Sequence, residues 1–282
     1  MEEEKKSVGS VNTSNHGLEV KDNVNLDDRE HIKFCNEIPT WKPEIYFKET
    51  MKKWKGFTCI ISGSRMAGKS QFLKNLLVGE PKLANQFDFI VVFSRTLVNG
   101  FYQSFLDTNL LFPEFHDGVV DTFKNLHSEA KKKGKKFKWL CILDDIVDAK
   151  SKYNKSVMDL FLCGRHYGAS IFFLTQKLGL MATAYLANTM VFVTLFAGSR
   201  AEKEYISEKM LSDAIDDKFS HLTLKKVERV AYLIQTEICQ DYNALIILPY
   251  EKVKIYRFKA PLLNFTKRKK TVPITGPNFA EN

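Results

Sequence analysis

The chain has 282 residues, enough for one large α/β domain or two small ones. Hydrophobic residues make up 44% and charged residues 27%, which excludes a disordered or fibrous chain. The apolar runs are strand-sized and none approaches the roughly 20 residues that span a bilayer, so we expect no integral membrane segment. Five cysteines, an odd number without CxxC spacing, argue against a disulfide scaffold or a zinc ribbon.

The net charge of +9 is unevenly distributed along the chain. Residues 1–30 contain eight acids and four Lys/Arg, whereas residues 252–270 contain eight Lys/Arg and no acid. The stretch from Lys131 to Lys138 contains six further lysines. Basic runs of this kind are typical of proteins that bind a polyanion, although solvated loops and tails carry them as well. We therefore expect an acidic flexible N-terminal arm over residues 1–40, a folded domain over residues 41–260 and a basic C-terminal tail over residues 261–282.

From about residue 55 onward, strand and helix signals alternate, which predicts an α/β fold with a mostly parallel sheet and helices on both faces. The predicted strands are Phe57–Ser62, Phe87–Ser94, Trp139–Asp144, Ser170–Thr175, Met190–Phe196 and Ala244–Pro249, with Lys252–Phe258 as an edge strand. The predicted helices are Lys69–Val78, roughly Gly118–Lys131, Lys155–Arg165, Ala201–Lys209 and Leu224–Gln235.

The first predicted strand runs directly into a glycine-rich loop, GSRMAGKS, and then into a helix. This is the G-x4-G-K-[ST] pattern of a P-loop in its strand–loop–helix setting, which a chance glycine-rich turn would lack. The glycines let backbone amides and the helix N-terminus surround phosphate oxygens, Lys69 reaches the β- and γ-phosphates, and Ser70 ligates Mg²⁺. ATP and Mg²⁺ are therefore the expected cofactors, and the predicted nucleotide-binding residues are Gly63, Ser64, Arg65, Met66, Ala67, Gly68, Lys69, Ser70 and Gln71.

Two later strands end in polar residues that suit the same site. Asp144 and Asp145 follow an apolar run, so we expect Asp144 to hold Mg²⁺ and Asp145 to polarise the attacking water. Gln176 follows the next strand, where a sensor of the γ-phosphate is needed, and Thr175 would support it. An ordinary strand-end turn is the alternative for both positions. Together with the P-loop, these residues predict a P-loop NTPase of the class with an additional catalytic strand.

The motifs GSRMAGKS and ILDD, together with GRHYGASIFFLTQ over residues 164–176, resemble the DNA-packaging ATPases of large double-stranded DNA viruses and virophages. These proteins belong to the FtsK–HerA superfamily, and the resemblance covers roughly residues 55–250. It implies a RecA-like core. It implies a motor that hydrolyses ATP and translocates double-stranded DNA into a viral capsid. It further implies a homo-oligomeric ring, a hexamer or pentamer, with viral capsid proteins as partners. The implied location is the host cytoplasm or viral factory, and association with the virion is a further possibility.

The resemblance also draws attention to two arginines. Arg165 precedes the sensor strand and could act as a catalytic arginine finger or a positioning residue, or it could simply stabilise the end of the preceding helix. Arg200 is an equal candidate for a finger that acts on a neighbouring subunit. Relatives often have an Arg-Asn pair where this chain has Ala187-Asn188, which weakens the assignment of an arginine finger at that position.

Two other functions remain open at this point. One is a small-molecule kinase acting on nucleosides or nucleotides, although the Arg-rich lid expected of such an enzyme is not evident. The other is a low-turnover ATP-binding scaffold at the capsid vertex, which Asp145 in place of the more usual Glu leaves possible. The translocase is favoured because lysine-rich loops suit contacts to DNA phosphates. The predicted DNA contacts are Lys131, Lys132, Lys133, Lys135 and Lys136.

Overall fold

The computed structural model describes residues 28–106, 108–146, 154–252, 254–261 and 263. In these ranges eight strands form one sheet. The strands are β1 (Thr58–Ser62), β2 (Phe89–Ser94), β3 (Leu111–Phe112), β4 (Trp139–Asp144), β5 (Ala169–Thr175), β6 (Val191–Thr194), β7 (Asn243–Ile247) and β8 (Ile255–Lys259).

The sheet has the order β3-β2-β4-β5-β1-β6-β7-β8. The strands from β3 to β6 pair in parallel, whereas β7 pairs antiparallel with both β6 and β8. The predicted fold class, a mostly parallel α/β sheet, is confirmed. The edge of β8 is covered by the segment Pro39–Trp41, since Arg257 exchanges backbone hydrogen bonds of 2.9 Å with Pro39 and Trp41. Strand β3 was not predicted because two residues are too few to show a period.

Helices cover both faces of the sheet. The helices of the described ranges are α1 (Asp28–Glu37), α2 (Pro43–Trp54), α3 (Lys69–Val78), α4 (Asp117–Lys132), α5 (Lys155–Cys163), α6 (Thr183–Ala187), α7 (Arg200–Ile206), α8 (Ser212–Ile215) and α9 (Leu224–Ile238). One apolar core packs α2 and α3 against one face of the sheet, and a second packs α4, α5, α6 and α9 against the other. Successive residues of the buried strands point to alternate cores, as Ile60 and Ile61 do. None of these helices combines the length and the hydropathy needed to span a bilayer.

Several predicted boundaries are wrong. The predicted arm of residues 1–40 cannot extend to residue 40, because residues 28–37 form α1 and Cys35 and Ile38 are buried in the core. Residues 1–27 lie outside the described ranges, as do Lys267 to Lys270 of the predicted tail. The segment before residue 55 is helical as α2, with Pro43 at its first position, where the missing proline N–H costs nothing. Helix α5 ends at Cys163 instead of Arg165, because residues 164–167 tighten into a 3₁₀ turn.

The parallel strands give the sheet two chemically different edges. At the carboxyl edge, β1 leads into the P-loop, β4 ends at Asp144 and β5 leads into Gln176. At the amino edge, β4 is preceded by the lysine run and β5 by Arg165. The two edges are separated by the length of β4, about 20 Å for six residues.

Gly168 fixes the start of β5 beside β4. Its φ is +68°, and its carbonyl oxygen accepts a 3.0 Å hydrogen bond from the backbone N–H of Trp139. A Cβ atom at this position would lie 2.3 Å from the carbonyl oxygen of Phe137 and 2.7 Å from Nδ1 of His127. Glycine is therefore required here both by conformation and by the close approach of backbone.

We predict that Gly168→Ala lowers the free energy of unfolding by about 1–3 kcal/mol more than Gly100→Ala does, as measured by urea denaturation. Gly100 is the matched control, because its φ is also +68° but a Cβ there meets nothing within 4 Å. Both variants bear the cost of the left-handed conformation, about 1–2 kcal/mol. Equal losses of stability in the two variants would show that the contact with Phe137 does not matter.

Candidate nucleotide-binding site

The P-loop lies at the carboxyl edge and is fixed to its two neighbouring strands. The backbone N–H of Gly63 donates to the carbonyl oxygen of Thr175 after β5 (3.3 Å), and that of Ser64 donates to the carbonyl oxygen of Phe196 after β6 (2.8 Å). The hydroxyl of Ser64 accepts a further hydrogen bond from the backbone N–H of Gly198. The loop is therefore held open over the end of β1 by backbone contacts on both sides.

The loop ends at the N-terminus of α3. Gly68 caps this helix with φ +94°, and the backbone amides of residues 68–71 have no acceptor among the described residues. Met66 also has a positive φ, and its side chain and that of Arg65 are exposed, whereas Ala67 is buried. A cluster of free amides at a helix N-terminus binds anions, so this backbone suits a phosphate chain.

Lys69 is 93% buried at the centre of the site, since its relative exposure is 7%. Its Nζ donates to the carbonyl oxygens of Gly63 (2.9 Å) and Ser64 (3.1 Å). Burial lowers the pKa of Lys69, and the nearby carboxylates of Asp145 and Asp144 act in the opposite direction. Because its present acceptors are carbonyl oxygens, the ammonium can exchange them for phosphate oxygens, which are stronger acceptors.

Asp144 is buried at the end of β4 and is hydrogen-bonded by residues that sequence reasoning missed. The hydroxyl of Tyr102 donates to its Oδ2 (2.8 Å), and the hydroxyl of Ser94 donates to the same oxygen (3.2 Å). Burial raises the pKa of Asp144, and the hydrogen bond from Tyr102 counteracts part of that rise. Ser94 could have been found from the sequence, since it ends β2 in register with Asp144. Tyr102 lies in a short 3₁₀ turn whose sequence carries no such signal.

Asp145 and Gln176 lie together, as their predicted roles require. The amide Nε2 of Gln176 donates to Oδ2 of Asp145 (2.6 Å). Asp145 has φ +51°, a conformation that aspartate tolerates better than most residues and that turns its side chain away from the line of β4. The amide therefore holds the carboxylate at the edge where the end of a phosphate chain would lie.

The residues predicted to hold Mg²⁺ fit the ion. Both hydrogen bonds to Asp144 go to Oδ2, and Oδ1 has no partner in the described part of the chain. Ser70 is half-buried in the first turn of α3. The described residues include no group of three or more His, Cys, Asp or Glu side chains that could enclose an ion. A metal held here would therefore take its other ligands from phosphate and water, as Mg²⁺ commonly does.

The two candidate arginines lie at opposite edges. Arg200 starts α7 just after β6, is exposed at the carboxyl edge and pairs with Glu204 (2.7 Å). Arg165 lies at the amino edge, where its guanidinium carbon is 5.8 Å from the ring centroid of Trp54. Arg165 therefore lies away from the nucleotide site of its own subunit, because the length of β5 separates the two. A role for either arginine on a neighbouring subunit stays a prediction.

The lysines predicted to contact DNA are also at the amino edge. All five are exposed, at the end of α4 and in the loop that follows it, and Lys132 pairs with Glu129 (2.9 Å). The run precedes β4 in sequence, yet the whole of β4 lies between it and Asp144. The structure therefore does not bring these lysines into the nucleotide site.

We predict that Tyr102→Phe weakens metal-dependent ATP hydrolysis about tenfold at neutral pH, the usual scale for a lost hydrogen bond to a charged group. Without the phenol, the pKa of Asp144 rises further, so its carboxylate is protonated at higher pH. The acid limb of the pH–rate profile should therefore move to higher pH.

The control is Tyr46→Phe, which removes a hydroxyl that bonds the carbonyl oxygen of Met190, away from the site. It should leave the pH–rate profile unchanged. An acid limb that stays in place in Tyr102→Phe would contradict the role of Tyr102.

Comparison with known proteins gives a family and a fold. The family model of the poxvirus A32 protein matches residues 44–248. Similar solved structures include B204, the DNA-packaging ATPase of Sulfolobus turreted icosahedral virus, at 16% identity and a TM-score of 0.50, covering 73% of this chain and 98% of B204. The genome packaging NTPase B204 of Sulfolobus turreted icosahedral virus 2 in complex with ATP-γ-S matches at 16% identity and a TM-score of 0.53, covering 74% of this chain and 100% of that one.

The AMP complex of the same NTPase matches at 18% identity and a TM-score of 0.51, covering 74% and 99% of the two chains. Comparison with curated protein sequences gives no match. At these identities the structural likeness establishes the fold, and the family rests on the family model. That model covers well over half of the chain, so the predicted resemblance to viral packaging ATPases is confirmed and the chain belongs to the poxvirus A32 protein family.

Proposed function

We propose that this ATPase translocates double-stranded DNA into a viral capsid, with ATP hydrolysed at the carboxyl edge of the sheet and DNA contacted at the amino edge. The observation that carries the proposal is a group of exposed lysines and one arginine at the edge opposite the nucleotide site. The similar B204 proteins are described as a DNA-packaging ATPase and a genome packaging NTPase, which supports the same activity here.

In the nucleotide site, the free amides of the P-loop and Lys69 bind the phosphate chain. Ser70 and Asp144 would hold Mg²⁺, which neutralises charge that develops on the phosphate oxygens. Tyr102 and Ser94 orient the carboxylate of Asp144, and their hydrogen bonds counteract part of the rise in its pKa that burial causes.

Asp145 acts on the attacking water, and the amide of Gln176 determines when the Asp145 carboxylate is free to do so. While the amide of Gln176 donates to Asp145, the carboxylate is held in place and one of its lone pairs is occupied. When the amide turns to the γ-phosphate, that lone pair becomes free to accept a proton from water. The bond between the two side chains therefore links sensing of the γ-phosphate to activation of the nucleophile.

The amino-edge basic surface is defined by residues from three elements that precede β1, β4 and β5. They are Lys52, Lys53, Lys55, Lys131, Lys132, Lys133, Lys135, Lys136 and Arg165.

Contacts within the fold bring the three elements of this surface together. The lysine loop touches the turn before β5, because the Phe137 carbonyl closely approaches Gly168. That turn carries Arg165, whose guanidinium lies over Trp54, and Nζ of Lys53 lies 4.8 Å from the centroid of the same ring. Lysines and arginine grouped in this way suit the phosphate backbone of duplex DNA without reading its sequence.

The motor would work as a ring of identical subunits, a hexamer or pentamer, docked on capsid proteins. Arg200 is the better-placed candidate for a finger in such a ring, because it is exposed at the same edge as the nucleotide. A charge supplied from a neighbour would make hydrolysis depend on assembly. We propose the host cytoplasm or viral factory as the place of action.

We predict that duplex DNA stimulates the ATPase and that its binding weakens steeply with salt, by a log–log slope of about −0.9 for each phosphate contact. Changing Lys133, Lys135 and Lys136 together to Ser should flatten that slope by up to about 2.7. ATP hydrolysis without DNA should be unchanged, because the lysines lie one strand length from Asp144. The measurements are DNA-binding titrations at several salt concentrations and steady-state turnover with and without duplex DNA.

The matched control changes Lys209, Lys225 and Lys226 to Ser. These lysines lie on the helices α8 and α9 or just before them, and the variant alters net charge by the same amount. Equal slopes in both variants would contradict the amino-edge surface. Very slow turnover both with and without DNA would favour a scaffold, and transfer of the γ-phosphate to a nucleoside would favour a kinase.

A further inference from the structure

The order of the strands determines the direction in which a bound nucleotide runs. Asp144, Asp145 and Gln176 lie at the ends of β4 and β5, on one side of the P-loop strand β1. The γ-phosphate has to lie beside them for hydrolysis. The sugar and base of the same molecule must then extend to the other side of β1, over the ends of β6 and β7.

An exposed aromatic ring lies on that side, against the P-loop itself. Tyr242 directly precedes β7, whose amino end shares the carboxyl edge because β7 runs antiparallel to β6. Its ring carbon Cδ1 is 3.1 Å from the position that a Cβ atom of Gly68 would take, yet 65% of the residue is exposed. Such a ring touches the loop that binds phosphate and still presents free surface to a ligand.

The backbone at this position is unusual. Asp241 and Tyr242 are consecutive and both have positive φ, at 49° and 62°. The left-handed conformation is disfavoured for residues other than glycine, and aromatic residues seldom adopt it. Residues held in this way are found preferentially at functional sites.

A cavity of about 270 Å³ is lined by Asp241, the residue that directly precedes Tyr242. Phe196, whose carbonyl oxygen bonds Ser64 of the P-loop, lines one side, and Gln240 and Asp241 line the other. The volume is slightly below the roughly 300 Å³ at which drug-sized ligand pockets begin. It therefore suits a single ring system with polar edge atoms better than it suits a whole nucleotide.

We propose that Tyr242 is the residue on which the nucleobase of ATP stacks, at the mouth of the cavity between Phe196 and Asp241. The inference rests on the P-loop binding the phosphates, as proposed above. Stacking is tolerant of base identity because every base has a π face, so the polar lining of the cavity would account for any preference among bases.

The test compares ATP with inorganic tripolyphosphate, which has the phosphates but no base, in calorimetric titrations of the full chain. Tyr242→Gly and Tyr242→Ala should raise the Kd for ATP about 5- to 100-fold and leave the Kd for tripolyphosphate unchanged. Glycine suits the positive φ at this position, so the first variant is expected to fold. Tyr242→Phe should bind both ligands as the wild type does.

Tyr250→Ala is the control, since Tyr250 is equally exposed, at 64%, and lies in the turn beyond β7. It should bind both ligands normally. An unchanged Kd for ATP in Tyr242→Gly would overturn the inference, and so would equal weakening of both ligands, which would mean that the ring acts by shaping the loop at Gly68. If the wild type and Lys69→Ala bind tripolyphosphate equally, the assignment of the P-loop as the phosphate site is wrong, and the failure lies in the proposed function.

Discussion

The parallel pairing of β1, β5 and β4 is the constraint on which the rest of the molecule depends. Parallel strands present all their carboxyl ends at one edge, so residues more than a hundred positions apart, such as Gly63 and Thr175, form hydrogen bonds there. The same pairing places the residues that precede β1, β4 and β5 at the other edge. The separation of a nucleotide edge from a basic edge is therefore a consequence of strand direction, and the sheet is the rigid body that connects the two.

Burial of charge is what makes the nucleotide edge reactive. Asp144 and Lys69 are both removed from water, and burial disfavours the charged form of each. The charges of Asp145 and Asp144 counteract the effect of burial on the pKa of Lys69. The hydrogen bonds from Tyr102 and Ser94, and the charge of Lys69, counteract it for Asp144. In such a site the buried ammonium of Lys69 can bind anionic oxygens, and the buried carboxylate of Asp144 can bind a cation. ATP with its metal would supply both partners at once. We therefore regard binding and catalysis as properties of the same buried pair, Lys69 and Asp144.

Much of this arrangement could be predicted from the sequence, because it rests on local patterns. Glycine, lysine and serine at fixed spacing identify the P-loop. The strands β1, β4 and β5 are apolar runs that end in polar residues. What escaped prediction depends on contacts between distant segments. Tyr102 reaches Asp144 from a short irregular turn, and α1 is helical because Cys35 and Ile38 pack into a core that the local sequence does not reveal. Arg165 became a candidate through the resemblance and its place before β5, but a residue that precedes a parallel strand lies at the edge opposite the residues that follow it.

The most direct test of the central claim, that the carboxyl edge is a hydrolysis site in which adjacent aspartates have different roles, is a paired measurement of nucleotide binding and turnover in Asp145→Asn and Asp144→Asn. Asp145→Asn should bind ATP and Mg²⁺ as the wild type does while turnover falls at least about a hundredfold, the usual scale for the loss of a general base. Asp144→Asn should lose the dependence of ATP binding on Mg²⁺. Turnover that survives in Asp145→Asn, or Mg²⁺ dependence that survives in Asp144→Asn, would contradict the account.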